Sequence, residues 1–441
     1  MKKILIKGGT IVGPQQSYSS DLLIEDGIIS ALNPAIKADA QTKVIHASGK
    51  FVLAGFIDIH NHGSAGFDTS FGKYDQNSEK FDSSESAYKA GLNEALSFYL
   101  NMGVTKVLLT TMAAPLKQLN NSFRLIKHFL DENPKYQPLV HGINLEGTFL
   151  KDPAYAGAQN PAFFCEIDAK IIDELQASSD DLLKIVNIPP EHGKKGYDLT
   201  HKLTQEGIVV AGGHSAAFGD EYSQAVKAGL NLAVHFLNGP SRSNSKSFRM
   251  GGAVEVMLRS DEMFLEIICD GYHVDPSYVR DVIARKGHER VIMITDTMFA
   301  NGMSDLKRFD LFGIQGAVSE NQAYLQVLGS ENTLFGSVLK SNVGFANVIS
   351  WLTQELPGTW HRLHKALTLN DALVQASIMF SSNPAKLLGI YDMAKGQTGT
   401  GSIEVGKTAD LIVAEFEENK LSITHNLLQG IIYETASSLF H

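Results

Sequence analysis

FIDIHNH, residues 56–62, is an apolar run that closes on two histidines two positions apart, His60 and His62, with Asp58 in the same alternation. Successive side chains of a strand point to opposite faces, so these three are expected on one face of a strand. Seven further apolar runs follow, each closing on polar or small residues: TKVLLTT (105–111), LVHGINLEG (139–147), KIVNIPPE (184–191), IVVAGGHS (208–215), LNLAVHF (230–236), FLEIICDGYH (264–273) and VIMITDT (291–297). Most precede a helix-length amphipathic segment, such as SESAYKAGLNEALSFYLNMG, which stops at Gly103. Eight strand–helix units over roughly 240 residues predict an α/β fold, a (β/α)8 TIM-type barrel. An open doubly wound sheet is the competing arrangement, because periodicity alone does not close a barrel.

Outside these runs the pattern changes. KILIKGGTIV and DLLIEDGIISAL near the N-terminus, and GSIEVGKTADLIVAEFE and KLSITHNLL near the C-terminus, are short β-type runs broken by Gly and Asp. The two ends are expected to pair in one small β-sandwich domain, residues 1–54 with 396–441, flanking a barrel domain of residues 55–395. The stretch from Val338 to about Leu388 reads as helical, with Asn370 as the cap before DALVQASIMF.

Composition narrows the function. The 441 residues are 44% hydrophobic and carry a formal charge of −10 with no dense basic block, which argues against a nucleic-acid partner. The two cysteines, Cys165 and Cys269, lie far apart and suit neither a disulfide scaffold nor a thiolate metal site. The apolar run at residues 4–6 is too short for a signal-peptide core, and no stretch has membrane-spanning length, so a cytoplasmic protein with no membrane partner is expected.

Glu146, His214, His235 and Asp296 close the third, fifth, sixth and eighth runs. In a barrel those ends meet at one mouth, the place where barrel enzymes carry out their chemistry. With His60 and His62 they make six metal-capable side chains, whose joint burial is costly without a compensating cation. Imidazoles and carboxylates without thiolates suit a divalent metal, zinc first and iron or manganese next, as one or two ions. His46, His128, His141, His192, His361 and His364 have no such matching partners and read as solvent-facing or structural.

The ordered words LAGFIDIHNHG, INLEGTFL, GGHSAAF, VHFLNGP, DGYHV, MITDTM and LFGS, followed by GSIEVGKTADLIV, resemble the amidohydrolase superfamily and, within it, the amino-sugar-phosphate deacetylases. The resemblance implies that Glu146, in place of the modified fourth-strand lysine of many superfamily members, holds a principal metal with His214 and His235. It implies a second metal position at His60 and His62, and Asp296 as the residue that takes a proton from the attacking water and delivers it to the departing amine. It further implies removal of acetate from an N-acetylated amino sugar, N-acetylglucosamine 6-phosphate or a close isomer, by a homodimer. The implied substrate contacts are Ala158, Gln159, Asn238, Gly239, Lys246, His273, Gly336 and Ser337.

Departures from the pattern fall on recognition positions. Gln159 stands where the family has a histidine, and its amide is expected to hydrogen-bond the acyl carbonyl or a sugar oxygen. Asn238, Gly239 and Pro240 replace Asn-Ala-Met. Lys246 stands near the place of a phosphate-binding arginine, with Arg242 and Arg249 as alternatives; a lysine offers a point charge where arginine offers a fork. An amidase for another N-acyl or cyclic amide is the runner-up. An inactive scaffold relative would be expected to lose ligands that are all present here, and a metal-free lyase or isomerase leaves the histidines unexplained.

Overall fold

The computed structural model describes residues 2–239, 251–330, 332–392 and 398–434. Arg242, Lys246 and Arg249 therefore lie outside the described residues.

Eight parallel strands run β1 Phe56–Asn61, β2 Val104–Thr110, β3 Val140–Leu145, β4 Leu183–Asn187, β5 Val209–Gly212, β6 Leu232–Ala233, β7 Phe264–Ile268 and β8 Val291–Ile294. Each pairs in parallel with its neighbours in chain order. The seam between β8 and β1 is closed just past the strand ends, where the Asp296 amide donates to the His60 carbonyl and the His62 amide to Thr297, both at 2.8 Å. The predicted barrel is thus present rather than the open sheet. β6 is only two residues long, because the chain turns at His235 before the rest of its apolar run can extend.

Alternation divides the strands between two cores. Ile57, Ile59, Leu108, Ile185, Ala211, Phe264, Ile268, Ile292 and Ile294 belong to one buried cluster. Their alternates, including Val107, Ile143, Val186, Leu265, Ile267 and Met293, pack with the surrounding helices. Helix α1, Glu85–Asn101, starts at the Ser84 cap, whose hydroxyl accepts from Ala87 N, and ends before Gly103 at φ +84°. Helix α2, Leu116–Glu132, buries Leu119, Phe123, Ile126 and Leu130 on one stripe. Each such side chain contributes about 1.5–3 kcal/mol relative to exposure.

Both chain ends meet in a separate eight-stranded sheet with its own core of Ile4, Ile6, Leu22, Ile24, Val52, Leu411 and Val413. The junction is the antiparallel pairing of Phe51–Ala54 with Leu411–Glu417. Lys106 of β2 reaches across to Asp410, 2.8 Å away, and joins the two parts.

Two local expectations are corrected. The helix Leu369–Ser377 is capped by Thr368, whose hydroxyl accepts from Asp371 N, so Asn370 lies inside the helix. Asp58 does not join the histidines it alternates with. Val107 and Leu109 pair with Asp58 and Asn61, so β1 carries one extra residue there, and this bulge breaks the alternation. Asp58 instead accepts from Thr295 Oγ1 at 2.6 Å, beside Phe98, Tyr99 and Met102. Burial raises its pKa to about 6 against the pull of these hydrogen bonds.

Candidate functional site

Six of the side chains singled out in the sequence meet at the barrel mouth, all buried: His60, His62, Glu146, His214, His235 and Asp296. Three of them leave their strands through a left-handed backbone, with φ of +50° at His214, +24° at His235 and +50° at Asp296. Non-glycine residues adopt this region at a cost and persist there where the surroundings over-determine them. The turn it produces swings each side chain off its strand toward the mouth.

Glu146 is the hub. Its Oε1 lies 3.2 Å from His235 Nε2, 3.5 Å from His214 Nε2 and 3.6 Å from His60 Nε2. Its Oε2 lies 3.4 Å from His62 Nε2 and accepts from Gln159 Nε2 at 2.7 Å. Asp296 Oδ1 faces His62 Nε2 at 3.1 Å and His60 Nε2 at 3.5 Å. Burial pushes the Glu146 carboxyl up, but His60, His214 and His235 outweigh it and hold the group well below its ordinary value. The same contest lowers Asp296, chiefly through the His62 hydrogen bond. Burial presses His60 down, yet Glu266 and Glu146 hold it well above the usual imidazole value.

These residues fit a divalent cation. His214 Nδ1 lies 2.9 Å from the Tyr155 carbonyl, which can only accept, so Nδ1 is the donor and Nε2 is the nitrogen turned to the cluster. That nitrogen stands 3.0 Å from His235 Nε2. The triangle His214 Nε2, His235 Nε2 and Glu146 Oε1 has edges of 3.0, 3.5 and 3.2 Å. Ligands on a tetrahedral ion with bonds of about 2.0–2.1 Å stand about 3.3 Å apart. His60 Nε2, which faces Glu146 and Asp296, is buried without a hydrogen-bond partner among the described residues. Two ligand groupings share His60, one with His62 and Asp296 and one with Glu146 and His235.

All of the cluster but His60 lines a cavity of about 330 Å³. Ala158, Gln159, Asn238 and Gly336 line it, and Met298, Leu334 and Phe335 add an apolar wall. Gly157 and Gly239 bring the backbone against the ligands, since a Cβ on either would meet the ring of His214 or His235 within 2.8–3.0 Å. Other expected substrate contacts lie elsewhere. Ser337 donates to the Thr295 carbonyl and its amide to the Asp296 carbonyl, so it supports the turn at Asp296 rather than lining the cavity. His273 is also outside the lining: its Nδ1 is 2.5 Å from Asp270 Oδ2. Gln159 spends its amide on protein groups, with Nε2 on Glu146 and Oε1 accepting from Ala113 N at 2.7 Å.

Glu266 escapes the sequence reading. It is fully buried on β7 and faces both His60 Nδ1 and the His235 amide. A lone acidic residue inside the apolar run FLEII is the only sign of it. Glu191 is another, accepting from the Ser215 hydroxyl and the Ala216 amide and thereby holding the turn after His214. A third grouping, Asp281 with His361 and His364, lies outside the cavity lining. The sequence offered these two histidines no partner; the fold supplies one. Asp281 accepts five hydrogen bonds, from the amides of Thr359, Trp360 and His361 and from the rings of His361 and His364. This carboxylate is saturated, and it clasps the loop to the helix Pro276–Lys286.

The amidohydrolase family model matches residues 51–435. The N-acetylglucosamine-6-phosphate deacetylase of Bacillus subtilis (strain 168) is 29% identical over 416 residues, covering 93% of this chain and 93% of the relative. The N-acetylgalactosamine-6-phosphate deacetylase of Escherichia coli O157:H7 is also 29% identical, over 89% of this chain and 90% of its own. Among solved structures, a mutant N-acetyl-D-glucosamine-6-phosphate deacetylase from Mycobacterium smegmatis, in complex with N-acetyl-D-glucosamine-6-phosphate, superposes with a TM-score of 0.78 at 22% identity, over 98% of this chain and 99% of that one. Among the described residues no helix is long and apolar enough to cross a membrane.

Proposed function

Because this chain belongs to the amidohydrolase family, we propose that it is a metal-dependent deacetylase that removes acetate from an N-acetylhexosamine 6-phosphate. The observation that carries the reading is the convergence of four imidazoles and two carboxylates around Glu146, three of the imidazoles and both carboxylates lining one cavity and the buried His60 Nε2 among them without a hydrogen-bond partner. We assign Glu146, His214 and His235 to the principal cation and His60 and His62 to a second position, with zinc as the metal. A cation held there supplies Lewis-acid charge to the amide carbonyl and lowers the pKa of water.

The chain's own residues do the rest. Asp296 faces the cavity beside His62 and takes the proton of the attacking water. It then delivers that proton to the nitrogen of the cleaved amide, because an amine leaves only when protonated. Its carboxyl, held below the ordinary range, is ready to accept at neutral pH. The apolar wall of Met298 and Phe335 limits water around the acyl group. Ala158, Asn238 and Gly239 border the sugar, and we keep His273 as a further candidate contact on the strength of the family resemblance.

The phosphate falls to Arg242, Lys246 or Arg249 in our reading, since no lysine or arginine lines the described cavity. Replacing all three by glutamine should raise KM for a 6-phosphorylated sugar and leave its unphosphorylated analogue unchanged. We propose the division of the chain into an end-sheet domain (1–54 and 396–441) and a barrel domain (55–395) on the two separate sheets, a homodimeric assembly on the family resemblance, and a cytoplasmic location on the sequence reading alone. Chelation tests the metal claim: amide hydrolysis should vanish on removal of bound cation and return on adding zinc, iron or manganese. Full activity in a protein shown by elemental analysis to hold no metal would reject it.

A further inference from the structure

Glu266 occupies an unusual position: its side chain and its backbone both hold the site, from a strand that contributes none of the six clustered residues. Its Oε2 lies 3.0 Å from His60 Nδ1 and accepts from the His235 amide at 3.1 Å. Its carbonyl accepts from the Phe236 amide at 2.7 Å. Two consecutive amides of the turn that carries His235 at φ +24° therefore end on one residue. Glu266 shares the face of Phe264 and Ile268, where a carboxylate has no solvent to compensate its burial.

We propose that Glu266 is the positioning residue that couples the two cation positions, fixing His60 with its proton on Nδ1 and pinning the backbone from which His235 reaches the site. This rests on the metal-dependent reading above. A carboxylate oxygen can only accept, so the His60 nitrogen facing it is the donor, and Nε2 is the nitrogen turned toward Glu146 and Asp296 that a cation would take. The carboxylate also makes the imidazole a better ligand than a neutral acceptor would. Because one oxygen serves His60 and His235 together, a change at Glu266 reaches both ligand groupings, although Glu266 itself belongs to neither.

The test is calorimetric titration of zinc chloride into chelator-stripped full-length protein, comparing wild type with Glu266→Gln and Glu266→Leu. Glutamine keeps an acceptor and loses the charge; leucine loses both. Second-sphere carboxylates of this kind typically change metal affinity by about 10- to 100-fold. The expected order is therefore wild type tightest, Glu266→Gln weaker by about 10-fold, and Glu266→Leu weaker by about 100-fold at both positions. A purely structural role would instead change the melting temperature of the stripped protein and leave zinc affinity in the folded variants alone. Nitrogen NMR of histidine-labelled, zinc-loaded wild type gives a second reading that needs no variant: the His60 proton should be on Nδ1. Wild-type zinc affinity in Glu266→Gln, or a proton on His60 Nε2, overturns the proposal while leaving the deacetylase reading intact. Wild-type protein that binds no zinc overturns both.

Discussion

Gln159 Nε2 lies 2.7 Å from Glu146 Oε2, and the other end of the same amide accepts from the Ala113 amide at 2.7 Å. The orientation of the amide follows, since Ala113 N can only donate. A residue expected to touch substrate thus holds the hub carboxylate in place.

Gln159→Leu is accordingly expected to act on the site itself and not on substrate binding alone. It leaves the buried Ala113 N–H without an acceptor, at a cost of about 1–3 kcal/mol in stability. It also frees Glu146 Oε2, so zinc affinity should fall with kcat. Chemical denaturation and zinc titration measure the two effects. A variant with unaltered stability and zinc affinity, changed only in KM, would return Gln159 to a purely substrate-contacting role.

Asp296→Asn should keep the fold, because the Asp296 backbone contacts to His60 and Ser337 do not involve the carboxylate. It cannot accept a proton. Loss of general acid–base catalysis lowers kcat by about 10²- to 10⁴-fold. Steady-state kinetics with circular dichroism as the folding control decide this, and turnover within a few-fold of wild type would remove Asp296 as the proton carrier.

His214→Ala and His235→Ala each take one corner from the triangle on Glu146 Oε1 and should lose the principal cation together with activity. His60→Ala should empty the second position and leave partial turnover. Elemental analysis of the purified variants reads this directly: unchanged metal content in His214→Ala would refute the ligand assignment.

The Asp281 clasp yields a pH signature. Burial raises this carboxyl, but the amide of Trp360 and the rings of His364 and His361 outweigh it and lower the folded pKa from 3.8. A depressed folded pKa contributes stability that is complete above the unfolded value and is lost as pH falls through the folded one. Asp281→Asn should therefore destabilise the protein at pH 7 by about 1–3 kcal/mol, through donors left unpaired. The gap to wild type should narrow below about pH 4. Denaturation midpoints across pH 3–7 check it, and a gap independent of pH would contradict the assignment.

What could be read from the chain follows from where the information lies. The six clustered side chains are legible because they close five of the apolar runs, His60 and His62 sharing the first, and a barrel brings run ends together whatever the intervening helices do. Glu266 sits within a run, and its partner His60 is 206 residues away, so nothing local marks it. The Asp281 clasp spans 80 residues or more to its two histidine rings and is equally invisible. Asp58 fails for a different reason: alternation places it with His60 and His62, and a bulge that no residue type announces moves it away. The Thr368 cap was readable, since Thr368 and Asp371 have the spacing of a capping box, but Asn370 between them offered an equally good cap residue.

The measurement closest to the central claim is acetate release by the zinc-loaded protein from N-acetylglucosamine and N-acetylgalactosamine, each with and without a 6-phosphate. Stoichiometric acetate and free amine are expected from a 6-phosphorylated sugar and are abolished by Asp296→Asn. Better turnover of the unphosphorylated sugars would contradict the phosphate assignment alone, and no acetate from any of the four, by protein that binds zinc, would contradict the deacetylase account itself.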